Sequence, residues 1–208
     1  MMLELFTAIA LIVDRSGSMH SVADDTKGSV QNLIQTQKKE AGRASLTLVQ
    51  FDHEYDVVYD FVDIQEVDEN AFAEQYEPRG STALVDAIGR TIIEMSQKID
   101  KMEDEAPNKI VVAIVTDGYE NASREFTTAK VRNLIEEKQN QGWEFMFLGA
   151  DINAIQSAQG YGISPDTCAY YDNSKVGSAM DLINAKITDS RAGKQIQITE
   201  EERAKIAN

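Results

Sequence analysis

Basic residues are scarce in this chain: 20 lysines and arginines stand against 35 aspartates and glutamates, a formal net charge of −15 over 208 residues. A surface this acidic repels nucleic-acid phosphates and anionic membranes, so neither is expected as a partner. Cysteine is almost missing. Cys168 stands alone, which excludes an internal disulfide and any cysteine-rich metal site, and its apolar surroundings mark it as a small core residue. There are two histidines: His20, with no nucleophile or carboxylate partner in its motif, and His53, in a turn, and neither makes a catalytic set. No apolar run approaches the roughly 20 residues that span a bilayer. The segment Thr7–Val13 follows Glu4, lacks a basic leader and runs into Asp14 without a small-residue cleavage pattern, so it does not read as a signal peptide. A cytoplasmic location is the expectation. Repeats, low-complexity stretches and long linkers are absent too, and 42% hydrophobic with 26% charged residues suits one globular domain. The domain is expected over residues 1–192, with 193–208 a loosely held tail containing a short helix.

What the sequence does contain is an alternation of apolar strands and amphipathic helices. Thr7–Val13 and Lys109–Val115 are near-continuous apolar runs of the kind that form central strands covered on both faces. Ser45–Phe51 and Tyr55–Phe61 flank the short turn Asp52-His53-Glu54, which predicts a hairpin and hence an antiparallel strand at the sheet edge. Trp143–Leu148 and Thr167–Tyr171 complete the expected strands. Helices are expected over Ser21–Ala41, Ala83–Met102, Thr127 or Thr128 to Gln141, Asp151–Gln159 and Ser174–Ser190, each from apolar steps of three and four. Thr199-Glu-Glu-Glu202 is a capping-box pattern that opens a last short helix. The predicted fold class is α/β: a doubly wound, mostly parallel sheet with one antiparallel edge strand and helices on both faces.

The chemistry concentrates at strand ends. Residues 10–19 run from an apolar strand into Asp14-Arg-Ser16-Gly-Ser18, and the second strong strand ends in Thr116-Asp117-Gly118. Gly80-Ser81-Thr82 lies between them, ahead of a helix. In open parallel sheets, ligands bind beyond the carboxyl ends of strands where the connections diverge, so Asp14 and Asp117 should share one edge. Two carboxylates and three hydroxyls are hard oxygen donors suited to Mg²⁺ or Mn²⁺, and they leave coordination positions over. The plainer alternative has Ser16 and Ser18 capping the following helix while Asp14 makes a turn bond. Arg15 and Arg79 flank the motifs and are candidates for attracting an acidic ligand side chain. Tyr119 and Glu120, with Asn121, follow Asp117 and are candidates for the rim.

Asp-x-Ser-x-Ser, a separate threonine and a Thr-Asp-Gly after a later strand resemble the von Willebrand factor A domain family over essentially the whole chain. Thr116–Ser123 and Phe147–Asp151 resemble bacterial and phage members, including those of tellurium-resistance clusters. The resemblance implies a Rossmann-like fold and a metal-ion-dependent adhesion site at Asp14, Ser16, Ser18, Thr82 and Asp117. It implies a non-enzymatic protein-binding module in which an exposed Asp or Glu of a protein partner completes the metal shell. Two other roles use the same cation: a Mg²⁺-dependent phosphoryl hydrolase or transferase, and a regulatory subunit of an ATPase or chelatase. The first lacks a second aspartate at position 16 to act as general acid and has no lysine clamp near the motifs. Some members of the superfamily also move a C-terminal helix when the metal shell changes, and Ser174–Ser190 is the corresponding candidate. Oligomeric state has no signature in the sequence.

Overall fold

The computed structural model describes residues 5–150 and 152–207. Its centre is β1 (Phe6–Asp14), buried along its whole length. It is paired in parallel with β2 (Arg43–Phe51) on one side and β4 (Lys109–Thr116) on the other. β3 (Tyr55–Asp63) folds back antiparallel on β2 as the edge strand. On the far side, β5 (Glu144–Gly149) and β6 (Cys168–Tyr170) extend the sheet in parallel, giving the order β3-β2-β1-β4-β5-β6.

Alternation along the strands sorts side chains onto two faces. Ile9, Leu11 and Val13 of β1 join the core under α1 (Ala23–Lys39) and α6 (Val176–Arg191). Ala8, Ala10 and Ile12 join the core under α3 (Leu84–Ile99) and α4 (Thr128–Asn140). Both faces are covered, which is why the central strands carry no polar alternation. The chain leaves β1 through α1 towards β2 and leaves β4 through α4 towards β5. The carboxyl ends of β1 and β4 therefore flank the point where the connections diverge.

Helix boundaries differ from expectation at their ends. Gly17–Val22 is a 3-10 turn, and α1 starts only at Ala23. The five-residue α2 (Ala71–Gln75) is too short for a periodicity signal; it seats Phe72 against Tyr76, with ring centroids 4.8 Å apart. α5 is described over Ile152–Gly160, and the expected start at Asp151 lies outside the described residues. No helix among the described residues is long and apolar enough to cross a membrane.

The tail is not loose. Ile196, Ile198 and Ile206 are buried in the same core as α1 and α6. α7 (Glu200–Ala207) opens on the expected capping box: the Thr199 amide donates to Glu202 Oε2 at 2.8 Å, and the Glu202 amide donates to Thr199 Oγ1 at 3.3 Å. Arg203 donates to the carbonyls of Cys168, Pro165 and Ile198, and Lys186 Nζ pairs with Glu202 at 2.6 Å. Isoleucines at 196, 198 and 206 are too sparse to show a helical stripe, so the sequence gives little sign of this docking.

Candidate metal centre

Three loops meet at the carboxyl ends of β1 and β4. Asp14 is the last residue of β1 and is fully buried. Its Oδ1 accepts the Ser16 amide at 2.6 Å, and its Oδ2 accepts the Thr116 hydroxyl at 2.5 Å. The loop after it is strapped down by backbone bonds: Arg79 N to Arg15 O at 2.8 Å, and Gly17 N to Gly80 O at 3.2 Å. Gly80 has φ +65°, and a Cβ there would lie 2.2 Å from His53 Nδ1, so this close approach requires glycine. The Ala83 amide then donates to Asp52 O at 2.7 Å, which brings Thr82 over the sheet edge.

All five candidate oxygens gather there. Ser16 Oγ lies 3.1 Å from Ser18 Oγ, which donates to Asp117 Oδ1 at 2.5 Å. A Cβ on Gly118 would sit 3.0 Å from Thr82 Oγ1 and 3.5 Å from both Asp14 Oδ2 and Ser16 Oγ. Those three oxygens therefore surround a single point that a side chain would crowd. Ser16 makes no side-chain capping bond to the turn it precedes, so that half of the plainer alternative is not realised, whereas the Asp14 turn bond is made.

The electrostatics point the same way. Burial pushes the Asp14 carboxyl up to about 6, against the bonds from Thr116 and Ser16, and Asp117 adds repulsion. Burial also raises Asp117, against the Ser18 hydroxyl. Among the described residues no lysine, arginine or histidine forms an ion pair with either carboxylate. Two carboxylates in a desolvated setting without a counter-charge, surrounded by hydroxyls, fit a hard divalent cation. Among the described residues no three His, Cys, Asp or Glu side chains gather into a metal-holding group, so the set depends on its hydroxyls.

The neighbouring arginines are committed elsewhere. Arg15 is buried, with Nε on Asp52 at 2.9 Å and Nη1 on Asp56 at 2.7 Å. Arg79 Nε also reaches Asp52 at 2.9 Å, and its Nη2 pairs with Glu54, while half the side chain stays exposed. Burial pushes Asp52 up, but the Glu54 amide, Arg79 and Arg15 outweigh it and hold the carboxyl below the usual range. Glu120 turns inward and accepts the amides of Val85, Ala122 and Ser123. Tyr119 remains exposed, its hydroxyl accepting from Asn153 Nδ2 at 2.9 Å. Of the four rim candidates, Arg79 and Tyr119 present surface, whereas Arg15 and Glu120 serve internal bonding.

Two supporting residues gave no signal in the sequence. Tyr76 is buried and donates to Asp14 O at 2.6 Å, and Tyr171, also buried, donates to Thr116 O at 3.3 Å. Each pins the end of a site-bearing strand from below, a role that only tertiary placement reveals.

The von Willebrand factor type A domain model matches residues 8–195. Among solved structures, the vWF domain of the type V pili tip protein Mfa5 from Porphyromonas gingivalis is 12% identical, with a TM-score of 0.64. The match covers 96% of this chain and 99% of that one. A von Willebrand factor type A protein from Catenulispora acidiphila is 14% identical (TM-score 0.62), covering 88% of this chain and 43% of that one. Proximal thread matrix protein 1 from the mussel byssus, with a zinc-occupied MIDAS motif, is 14% identical (TM-score 0.65), covering 89% and 46%. The chain thus spans under half the length of the last two proteins. Among curated proteins none matches the sequence.

Proposed function

The chain belongs to the von Willebrand factor type A domain family, and from that premise we propose that it is a metal-dependent protein-binding module without catalytic activity. Asp14, Ser16, Ser18, Thr82 and Asp117 hold one divalent cation, Mg²⁺ or Mn²⁺. When bound, the cation offers a Lewis-acidic position to an oxygen ligand, and an exposed Asp or Glu of a protein partner takes it. Arg79 and Tyr119 form the exposed rim that meets the partner, and the module works in the cytoplasm. The observation that carries this reading is the meeting of three hydroxyls and two carboxylates from three loops, the carboxylates having no counter-charge among the described residues.

The chain's own residues divide the work. Thr116 and the Ser16 amide orient the Asp14 carboxylate, while Tyr76 fixes its backbone. The hydroxyls of Ser16, Ser18 and Thr82 add neutral donors, so the two carboxylates only just balance the cation's charge and it stays Lewis-acidic towards a partner's carboxylate. Zinc occupies the MIDAS of the mussel relative, so all three metals belong in the test. Isothermal titration with Mg²⁺, Mn²⁺ and Zn²⁺ is expected to give one site on the wild type and none on Asp14→Ala. Affinity capture from source lysate, with and without EDTA, is expected to retain a protein that both Asp14→Ala and chelation release. Equal metal binding by wild type and Asp14→Ala excludes the proposed ligand set.

A further inference from the structure

Helix α3 starts two residues after Thr82 with no side-chain cap of its own. Its exposed amides are taken by the loop that follows Asp117 instead. The Thr82 amide donates to Asn121 Oδ1 at 2.9 Å, and the amides of Asn121 and Ala122 donate back to Thr82 O at 3.0 and 3.1 Å. Further along, Val85 N donates to Glu120 Oε2 at 2.8 Å and Asp86 N to Ser123 Oγ at 3.0 Å. Glu120 is braced by the amides of Ala122 and Ser123 and by the Ser123 hydroxyl at 2.6 Å. The segments bearing Thr82 and Asp117 are thus bonded to each other in both directions.

The Thr82 hydroxyl itself bonds to no protein group among the described residues, so its placement is inherited from its backbone. On its N-terminal side Gly80 bonds to the loop after Asp14, through the Gly17 amide, and, among the described residues, not to the Asp117 segment. That backbone is held against the segment after Asp117 by the side chain and amide of Asn121 and by the Ala122 amide, with Glu120 behind them.

We propose that Asn121 and Glu120 are positioning residues that set Thr82 at the metal centre, so that cation affinity is fixed partly by a loop outside the coordination shell. This rests on the metal reading given above. Outer partners of metal ligands typically govern about 10–100-fold in affinity.

The test is Mn²⁺ affinity, together with the number of Mn²⁺-bound waters from water-proton relaxation. It compares wild type, Asn121→Ala, Asn121→Asp, Glu120→Gln, Thr82→Ala and the Asn121→Ala/Thr82→Ala double variant. Asn121→Ala is expected to weaken Mn²⁺ about tenfold or more and to add a bound water. Glu120→Gln, whose side-chain amide faces four donors, is expected to move both readouts the same way. Asn121→Asp keeps the acceptor and restores the wild-type water number. In the Thr82→Ala background, Asn121→Ala is expected to have no further effect, because the pathway it acts through is gone. A merely structural role for Asn121 would add its loss to that of Thr82→Ala, and such additivity overturns the inference. So does Asn121→Ala binding Mn²⁺ like wild type. A wild type that binds no divalent metal overturns the reading beneath it instead, which keeps the two failures distinct.

Discussion

Asp14 combines full burial, no ion-pair partner among the described residues and a carboxyl pushed up to about 6 from 3.8 by that burial. The consequence for stability has a definite sign. Between those two pH values the metal-free folded state holds a proton that the unfolded chain has released, so stability falls as pH rises from about 4 to about 6. The loss amounts to roughly 3 kcal/mol above that window. A cation bound at the carboxylate removes the penalty, because it favours the charged form. Urea unfolding across this pH range in EDTA is expected to show a steeper decline for wild type than for Asp14→Asn, which keeps the raised Asp117, and saturating Mg²⁺ should abolish the difference. Asparagine suits the position: Oδ1 still accepts the Ser16 amide, and Thr116, which also reaches Gly118 O at 3.2 Å, can accept from the new amide. Gly80 sets a second residue-scale expectation. Gly80→Ala suffers both the left-handed φ and the clash with His53 Nδ1, and should destabilise the fold by about 1–3 kcal/mol. Adding His53→Ala should restore only the steric part, as thermal melts of the two variants can measure.

At the scale of elements, the strands were legible and the helix ends were not. β1 and β4 announce themselves because a strand covered on both faces has no polar positions to interrupt it. The hairpin of β2 and β3 follows from a short turn between two β-rich runs, and in the structure Asp52 closes it, accepting the Glu54 amide at 2.7 Å. The helix starts resist prediction because their caps are supplied from distant sequence. α3 is capped by residues 120–123, and α1 ends under Arg191. That guanidinium, buried at the end of α6, donates to Gln37 O, Gln37 Oε1, Glu40 O, Ala41 O and Gly42 O, and so satisfies one carbonyl in the last turn of α1 and three in the turn that follows it. Burial lowers its pKa, against an attraction to Glu40. Arg191→Met should leave those carbonyls unpaired and cost about 3 kcal/mol in urea unfolding. Arg191→Lys, a point charge that cannot span the same fan of acceptors, should recover only part of that. The rim candidates show the same limit. Arg15 and Glu120 sit beside the motifs in sequence, yet their side chains are drawn inward by Asp52 and by the α3 amides.

On the scale of the whole molecule, the question is where the folding unit ends. A boundary at residue 192 is natural from the sequence, because α6 is the last strongly apolar helix and the segment after it is polar. Packing argues otherwise. Ile196, Ile198 and Ile206 are each 4% exposed or less, in the core that also contains α1, α6 and one face of β1. Burial of an isoleucine contributes about 1.5–3 kcal/mol, so the three together contribute roughly 5–9 kcal/mol before the ordering of their backbone is charged against it. Net stabilities of domains are about 5–15 kcal/mol. α7 also lies against β6, where Arg203 takes the Cys168 carbonyl at the sheet's far edge, and the Ile206 carbonyl accepts the Asp172 amide at 2.8 Å. Removing residues 193–208 therefore exposes an apolar trough and strips the outermost strand of its bond from Arg203 at once. The truncated chain is expected to lose its cooperative thermal transition by circular dichroism, or to melt at least 10 °C lower. Ile198→Ala in the full chain should lower stability by about 2–4 kcal/mol while leaving Mn²⁺ binding intact, because the proposed metal centre is at the carboxyl ends of β1 and β4, away from the tail's own contacts. A truncated protein that melts like the full chain would show that residues 193–208 merely rest on a core already complete without them.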